Sequence, residues 1–231
     1  HEILEQFEHL PAPKVFLNHG VADLFLNKIP RGFTKPGDAS QIRFGYAGNL
    51  LRPDIDRPMM QKIVCSNPAV QFEMWGAHDS QTSNLGSGGA GDAEHSFIAF
   101  LSDQENVVLH GPVSAQELVD GLARMNGFFI CYDIEKDQSS GTNYHKILEY
   151  LATGKVIVSN SVTTYKDTPL FRMCNSRNSN AEMPLLFKDT VEHIDEWNSE
   201  ERCRQRIEFA AAHTYRKQLK KIDDAVMRLP S

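Results

Sequence analysis

At 231 residues the chain can bury a full hydrophobic core, so one domain or a domain and a half is the natural expectation. Its 24 Lys and Arg against 30 Asp and Glu give a formal net charge of -6, which argues against a nucleic-acid partner, since that needs a basic footprint. No stretch approaches the roughly 20 apolar residues of a membrane span.

The chain opens on His1 rather than Met and does not begin like a secretory signal, so its N-terminus reads as a cut end. In chain order, residues 15–17 form a short apolar run that predicts a strand ending at Asn18-His19-Gly20. Residues 30–40 are rich in Gly, Pro and charge and predict a connecting loop. A second strand is expected over 42–46, running into Ala47-Gly48-Asn49. A helix over 58–66 and a strand over 71–75, stopped by Gly76, come next. The glycine-rich stretch 83–91 cannot hold regular structure and predicts a surface loop. Helical sequence resumes over 94–101, followed by a strand over 107–109 ending at Gly111. Ser114 and Glu117 then make a capping box that opens a helix to Met125, and residues 128–131 form another strand.

The most informative run is 143–159. Ile147, Leu148, Leu151 and Ala152 share one helical face, Gly154 sits where a left-handed cap belongs, and Val156, Ile157 and Val158 suit a strand covered on both faces. Lys146 is out of place by propensity, because a cation in a first helical turn opposes the helix dipole. An anion bound there explains it, with Glu149 three residues on and able to accept hydrogen bonds from a ribose diol. A solvated Lys/Glu pair beside a packed helix explains the same two residues equally well. Beyond this run the pattern predicts a strand over 185–187, a short helix over 190–197 and a long helix over 199–227. In that last helix Ile207, Ala210, Ala211, Tyr215, Leu219, Ile222 and Val226 recur at helical spacing. Its basic positions alternate with acids, as on a solvated face, so at most peripheral contact with a membrane is expected.

Alternating strands and helices with short buried strands predict an α/β fold: a Rossmann-like, doubly wound parallel sheet. Ligands of such sheets collect at the carboxyl ends of the strands, and Gly20, Gly48, Gly76 and Gly111 each follow a predicted strand on that edge. Cys65, Cys131, Cys174 and Cys203 are far apart with no CxxC pair, which predicts buried reduced thiols in a cytoplasmic protein. Trp75 reads as core or loop packing in preference to a base-stacking residue, and His110 as a strand residue.

With these pieces placed, the chain resembles the donor-binding, C-terminal half of retaining GT-B glycosyltransferases, of the kind grouped as glycosyl transferases group 1. Lys14-Val15-Phe16-Leu17-Asn18-His19-Gly20-Val21-Ala22 is similar to the interdomain "hNGVD" segment, and Phe44-Gly45-Tyr46-Ala47-Gly48-Asn49-Leu50 to the glycine loop that opens the second domain. Asn106 to Val113 with Glu117-Leu118 resembles "NVxxxGxvxxxEL", and Lys146 to Val158 resembles "KxxEYLAxGkPVV". His213-Thr214-Tyr215-Arg216 stands in place of "sWxxR". The resemblance implies residues 1–22 as a linker and 23–231 as the donor domain, with the acceptor-binding half absent from this chain, so that this fragment should not turn over alone.

It also implies roles. Gly48 and Asn49 would let backbone N–H groups approach the donor diphosphate, Lys146 would pair with a phosphate, and Arg52 would supply a second cation. Glu149 would hold the ribose, Gly111, Pro112 and Val113 would face the nucleobase, and Asn143 and Tyr144 would adjoin the donor. The implied reaction moves a sugar from a nucleoside-diphosphate sugar to an acceptor glycan or lipid-linked glycan in surface-polysaccharide or glycoconjugate synthesis, at the inner face of the membrane. No metal or cofactor beyond the donor is implied; Asp54 and Asp56 have DxD spacing but lie on a helix approach rather than after a strand. The chain departs from the family at Tyr144, usually Pro, and at Gly141, where many members carry an acid eight positions before the ribose carboxylate. A nucleotide-sugar epimerase of the same architecture and a degenerate, non-catalytic binding domain are the competing readings.

Overall fold

The computed structural model describes residues 7–10, 14–28, 41–79, 91–137, 141 and 143–228. Predicted loops 30–40 and 83–90 lie outside them. Apolar runs without alternation build the strands over 127–130 and 156–159, as expected where helices cover both faces of a parallel sheet. The strands are β1 (Arg43–Ala47), β2 (Gln71–Trp75), β3 (Val107–Gly111), β4 (Gly127–Ile130), β5 (Val156–Ser159) and the two-residue β6 (Arg172–Met173). They form one parallel sheet in the order β3-β2-β1-β4-β5-β6. Every residue of β4 and β5 is buried.

Helices fill the connections: α1 (Asp23–Lys28), α2 (Arg57–Ser66), α3 (Asp92–Ser102), α4 (Ala115–Leu122), α5 (Lys146–Ala152), α6 (Met183–Glu192), α7 (Ile194–Trp197), α8 (Glu200–Ala212) and α9 (Tyr215–Val226). Local chemistry sets several of their starts. Ser114 accepts from the Glu117 N–H while the Glu117 carboxylate accepts from the Ser114 N–H, the reciprocal box anticipated for α4. Asp56 caps α2 through the Met59 N–H at 3.1 Å. Gly154, at φ 75°, ends α5. No helix among the described residues is long and apolar enough to cross a membrane.

Three expectations fail for tertiary reasons. Residues 185–187 belong to helix α6, because Met183, Phe187 and Thr190 recur at helical spacing and are buried while Leu185 is 74% exposed. Phe187 then packs on Phe44 of β1 and Phe72 of β2, with ring centroids 4.5 and 5.6 Å apart. Residues 15–17 are irregular and exposed, with no partner strand among the described residues. The long helix over 199–227 breaks into α8 and α9. Thr214 turns extended there to cap α9, and Val21 pairs beside it, donating to the His213 carbonyl and accepting from the Tyr215 N–H. A Cβ on Gly20 would come within 2.8 Å of the Tyr215 backbone, so the first and last segments of the resemblance lie against each other. Cys131, Cys174 and Cys203 are buried as expected, but Cys65 is exposed on α2.

Candidate functional site

The strand order reverses between β1 and β4, and ligands of open α/β sheets bind beyond the carboxyl ends at such a point. The turn after β1 holds Gly48, and the connection after β4 leads into α5. Gly48 donates its N–H to the Trp75 carbonyl at 2.8 Å, and Gly76 donates to the Gly111 carbonyl at 2.9 Å. A Cβ on Gly76 would stand 2.2 Å from the Gly48 carbonyl oxygen, so the turns after β1 and β2 fit only without side chains. The N–H groups of Leu50 and Leu51 are likewise taken, by the Ala77 carbonyl and the Asn49 side chain. The glycine turn therefore contributes space more than free donors.

Lys146 fills that space. Its Nζ lies 2.6 Å from where a Gly48 Cβ would be, 4.1 Å from the centre of the Tyr46 ring and 5.3 Å from that of Tyr132. The Tyr150 hydroxyl accepts from the Ala47 N–H at 2.7 Å and so locks α5 to the same turn. Tyr150→Phe leaves that buried N–H without its partner and is expected to cost about 1–3 kcal/mol in a urea unfolding titration.

Glu149 follows on α5. Burial pushes its carboxyl above the usual range, and the Lys146 cation partly offsets this. A raised carboxyl favours the fold while protonated, and this contribution is lost as pH rises through the folded-state pKa. Glu149→Gln is thus expected to raise the midpoint of thermal unfolding at neutral pH, with the gain vanishing below the pKa of an unfolded glutamate. An equal gain at all pH values would contradict this assignment.

Other expected site residues are placed differently. Arg52 is held by Asp54 through both its Nε, at 2.8 Å, and a terminal nitrogen, so its charge is already paired; this hydrogen bonding raises its pKa. Asp56 is occupied as the α2 cap and accepts from Asn180 Nδ2 at 2.8 Å. Gly111 has φ 72° and lies beside His78, while Pro112 and Val113 are exposed after β3. Asn143 Nδ2 donates to Asn18 Oδ1 at 2.6 Å, tying the start of α5 to the N-terminal segment, where His19 and His145 rings lie 3.6 Å apart. Burial, with His145 adding to it, lowers the His19 pKa.

Tyr144 points inward. Its hydroxyl donates to Asp137 Oδ2 at 2.6 Å and accepts from Asn160 Nδ2 at 3.0 Å. Gly141 has φ 66°, and a Cβ there would sit 2.8 Å from the Ser161 carbonyl oxygen, so this backbone has no place for the acid found in many family members. Behind it a cavity of about 290 Å³ is lined by Ile134, Asp137, Asn160, Ser161 and Arg177, among others, and by neither Lys146 nor Glu149. Trp75 is buried and stacks on His110 at 4.8 Å, and His110 in turn bonds Glu73.

Sequence reasoning missed Tyr46 and Tyr132. Tyr46 and Gly48 lie two residues apart at the end of a strand, hence on one face, and that spacing was the available signal.

No protein-family model matches the chain, and no curated protein does. Its structure is similar to Anabaena HepE in complex with UDP-glucose, with TM-score 0.62 and 13% identity over 83% of this chain and 50% of that one. It is similar also to the pneumococcal O-GlcNAc transferase GtfA in complex with UDP and GlcNAc, with TM-score 0.61 and 14% identity over 98% of this chain and 42% of that one. A glycosyltransferase from Rickettsia africae aligns with TM-score 0.62 and 12% identity over 99% of this chain and 62% of that one. The chain thus spans about half the length of the first two, and its fold is that of one half of a GT-B glycosyltransferase.

Proposed function

We propose that the chain is the donor-nucleotide half of a glycosyltransferase that moves a sugar from a nucleoside-diphosphate sugar. One observation carries the reading. Lys146 presents an ammonium that makes no ion pair among the described residues, at the turn after β1, where the strand order reverses. Lys146 pairs with the diphosphate, Glu149 accepts from the ribose hydroxyls, and the backbone of Gly111 to Val113 faces the base. Asn49 adjoins the phosphates, and Arg52, turned from Asp54, is at most an auxiliary cation. Cleavage of the anomeric C–O bond leaves negative charge on the departing diphosphate, and a fixed cation beside it stabilises the oxocarbenium-like transition state. No cofactor enters this reading besides the donor itself.

In the same reading residues 1–22 link to a preceding half that binds an acceptor glycan or lipid-linked glycan. Two observations support this: the matched enzymes HepE and GtfA are about twice as long, and Phe16, Leu17 and Tyr215 are exposed about the contact between Gly20 and Tyr215, with Leu219 and Val226 exposed further along α9. We place the reaction on the cytoplasmic side, at the inner face of the membrane, in the synthesis of surface polysaccharide or related glycoconjugates.

Calorimetric titration of the chain with UDP, GDP, ADP and CDP tests the reading: one of them should bind, and binding by none would remove it. The crowding of position 141 by Ser161 favours a second reading, a binding domain without turnover. That reading predicts nucleotide binding but no donor hydrolysis or transfer by the full-length protein.

A further inference from the structure

We propose that the rings of Tyr46 and Tyr132 form an aromatic cage that positions the Lys146 ammonium for a phosphate without neutralising it; the phosphate half of this statement rests on the nucleotide reading above. The two cations nearest the glycine turn are handled in opposite ways. Arg52 is paired with Asp54, and a paired cation must give up its carboxylate before it can take an anion. Lys146 meets instead the faces of two tyrosines, at 4.1 and 5.3 Å from the ring centres. A ring quadrupole attracts an ammonium but carries no net charge, so the full positive charge stays available.

The cage is rigid. Tyr46 is fully buried, with its ring 5.8 Å from that of Phe129. Tyr132 is fixed through its backbone by Asn160 and Asn180, and its ring lies 4.6 Å from Tyr144. Gly48 leaves the room that the ammonium occupies, since a Cβ there would meet Nζ at 2.6 Å and the Tyr46 hydroxyl at 3.2 Å. That hydroxyl has no hydrogen bond of acceptable geometry among the described residues, and burial raises its pKa, with the neighbouring Tyr132 and Tyr150 adding to it. The ring face, and not the hydroxyl, is therefore what the position retains, and Tyr46 and Tyr132 are positioning residues acting through Lys146.

The test compares Tyr46→Phe with Tyr46→Leu in the 231-residue chain, using UDP and uridine as probes and the Lys146 side-chain NMR signals as a ligand-free readout. Tyr46→Phe keeps the ring and should hold UDP affinity within about twofold, whereas Tyr46→Leu should lower it about 2–30-fold and leave uridine binding unchanged. The ε-methylene protons of Lys146 should be shifted upfield by the ring in the parent chain and in Tyr46→Phe, and should move toward free-lysine positions in Tyr46→Leu. Should Tyr46→Leu not fold, Tyr132→Leu should give a smaller change of the same sign in both readouts. Unshifted Lys146 signals in the parent chain, or equal losses for UDP and uridine, would overturn the cage. Failure of the parent chain to bind any nucleotide would instead remove the functional reading, while the ring-current shift still decides the cage.

Discussion

Under the function proposed above, Lys146→Ala is expected to cost the full-length protein about 2.7–4 kcal/mol of transition-state stabilisation, the scale seen when one fixed donor to a developing oxyanion is removed. In the isolated chain the same change should weaken binding of a nucleoside diphosphate by about 1.5–3 kcal/mol, the usual worth of a hydrogen bond to a charged group. Folding should barely change. Among the described residues the Lys146 ammonium makes no ion pair or hydrogen bond, and it sits over the Tyr46 and Tyr132 rings beside Gly48. A second consequence follows for Glu149. Loss of the cation that lowers its pKa leaves burial unopposed, so the carboxyl should titrate at still higher pH in Lys146→Ala. Calorimetry with the nucleotide that binds the parent chain, together with carboxyl NMR titration, checks both. Unchanged affinity and an unchanged Glu149 titration would remove Lys146 from the site.

Among the described glycines, Gly76→Ala should be the most damaging added methyl. Its φ of 128° strains any side chain, a cost of about 1–3 kcal/mol. The added carbon would also sit 2.2 Å from the Gly48 carbonyl oxygen, and forcing a packed segment aside adds about 1–3 kcal/mol. Each kcal/mol lowers the unfolding midpoint of a chain this size by about 2–4 °C, so the loss is measurable by calorimetry. Because the displaced atom belongs to the turn that faces Lys146, nucleotide binding should weaken even where the variant remains folded. A midpoint equal to that of the parent chain would show that the turns after β1 and β2 are not interlocked as described.

Much of the sheet was legible because its strands are covered on both faces. The residues of β4 and β5 form short apolar runs without a period, and the glycines that end β1, β2 and β3 mark the edge where ligands collect. Ser114 and Glu117 announced α4 through chemistry confined to four residues. What was not legible depends on contacts between distant segments. Leu185, Leu186 and Phe187 look like a strand until Phe187 is seen packed on Phe44 and Phe72. The break before α9 is invisible in a helical repeat that runs through it, because its cause is the backbone of Val21 nearly two hundred residues earlier.

The site divides in the same way. Lys146 and Glu149 stand out because their charge and spacing conflict with a plain amphipathic helix, and the structure puts them on one element beside the glycine turn. Arg52 looked available because its neighbour Asp54 was considered only as half of a metal motif, whereas the two side chains are two residues apart and pair. The glycine turn looked like a source of N–H donors, yet parallel turns packed against one another use those donors themselves. Tyr46 was hidden among the core aromatics, since its spacing to Gly48 puts it on the face of the glycine turn but does not say whether the ring packs on a ring or on an ammonium.

Titration of isotopically labelled chain with UDP, followed through its backbone amide signals, tests the central claim most directly. The account predicts saturable shifts that are largest at Gly48, Asn49, Lys146 and Glu149 and extend to Gly111 and Val113. Shifts confined to the cavity around Asn160 and Arg177, or no saturable shift with any nucleoside diphosphate, would contradict it.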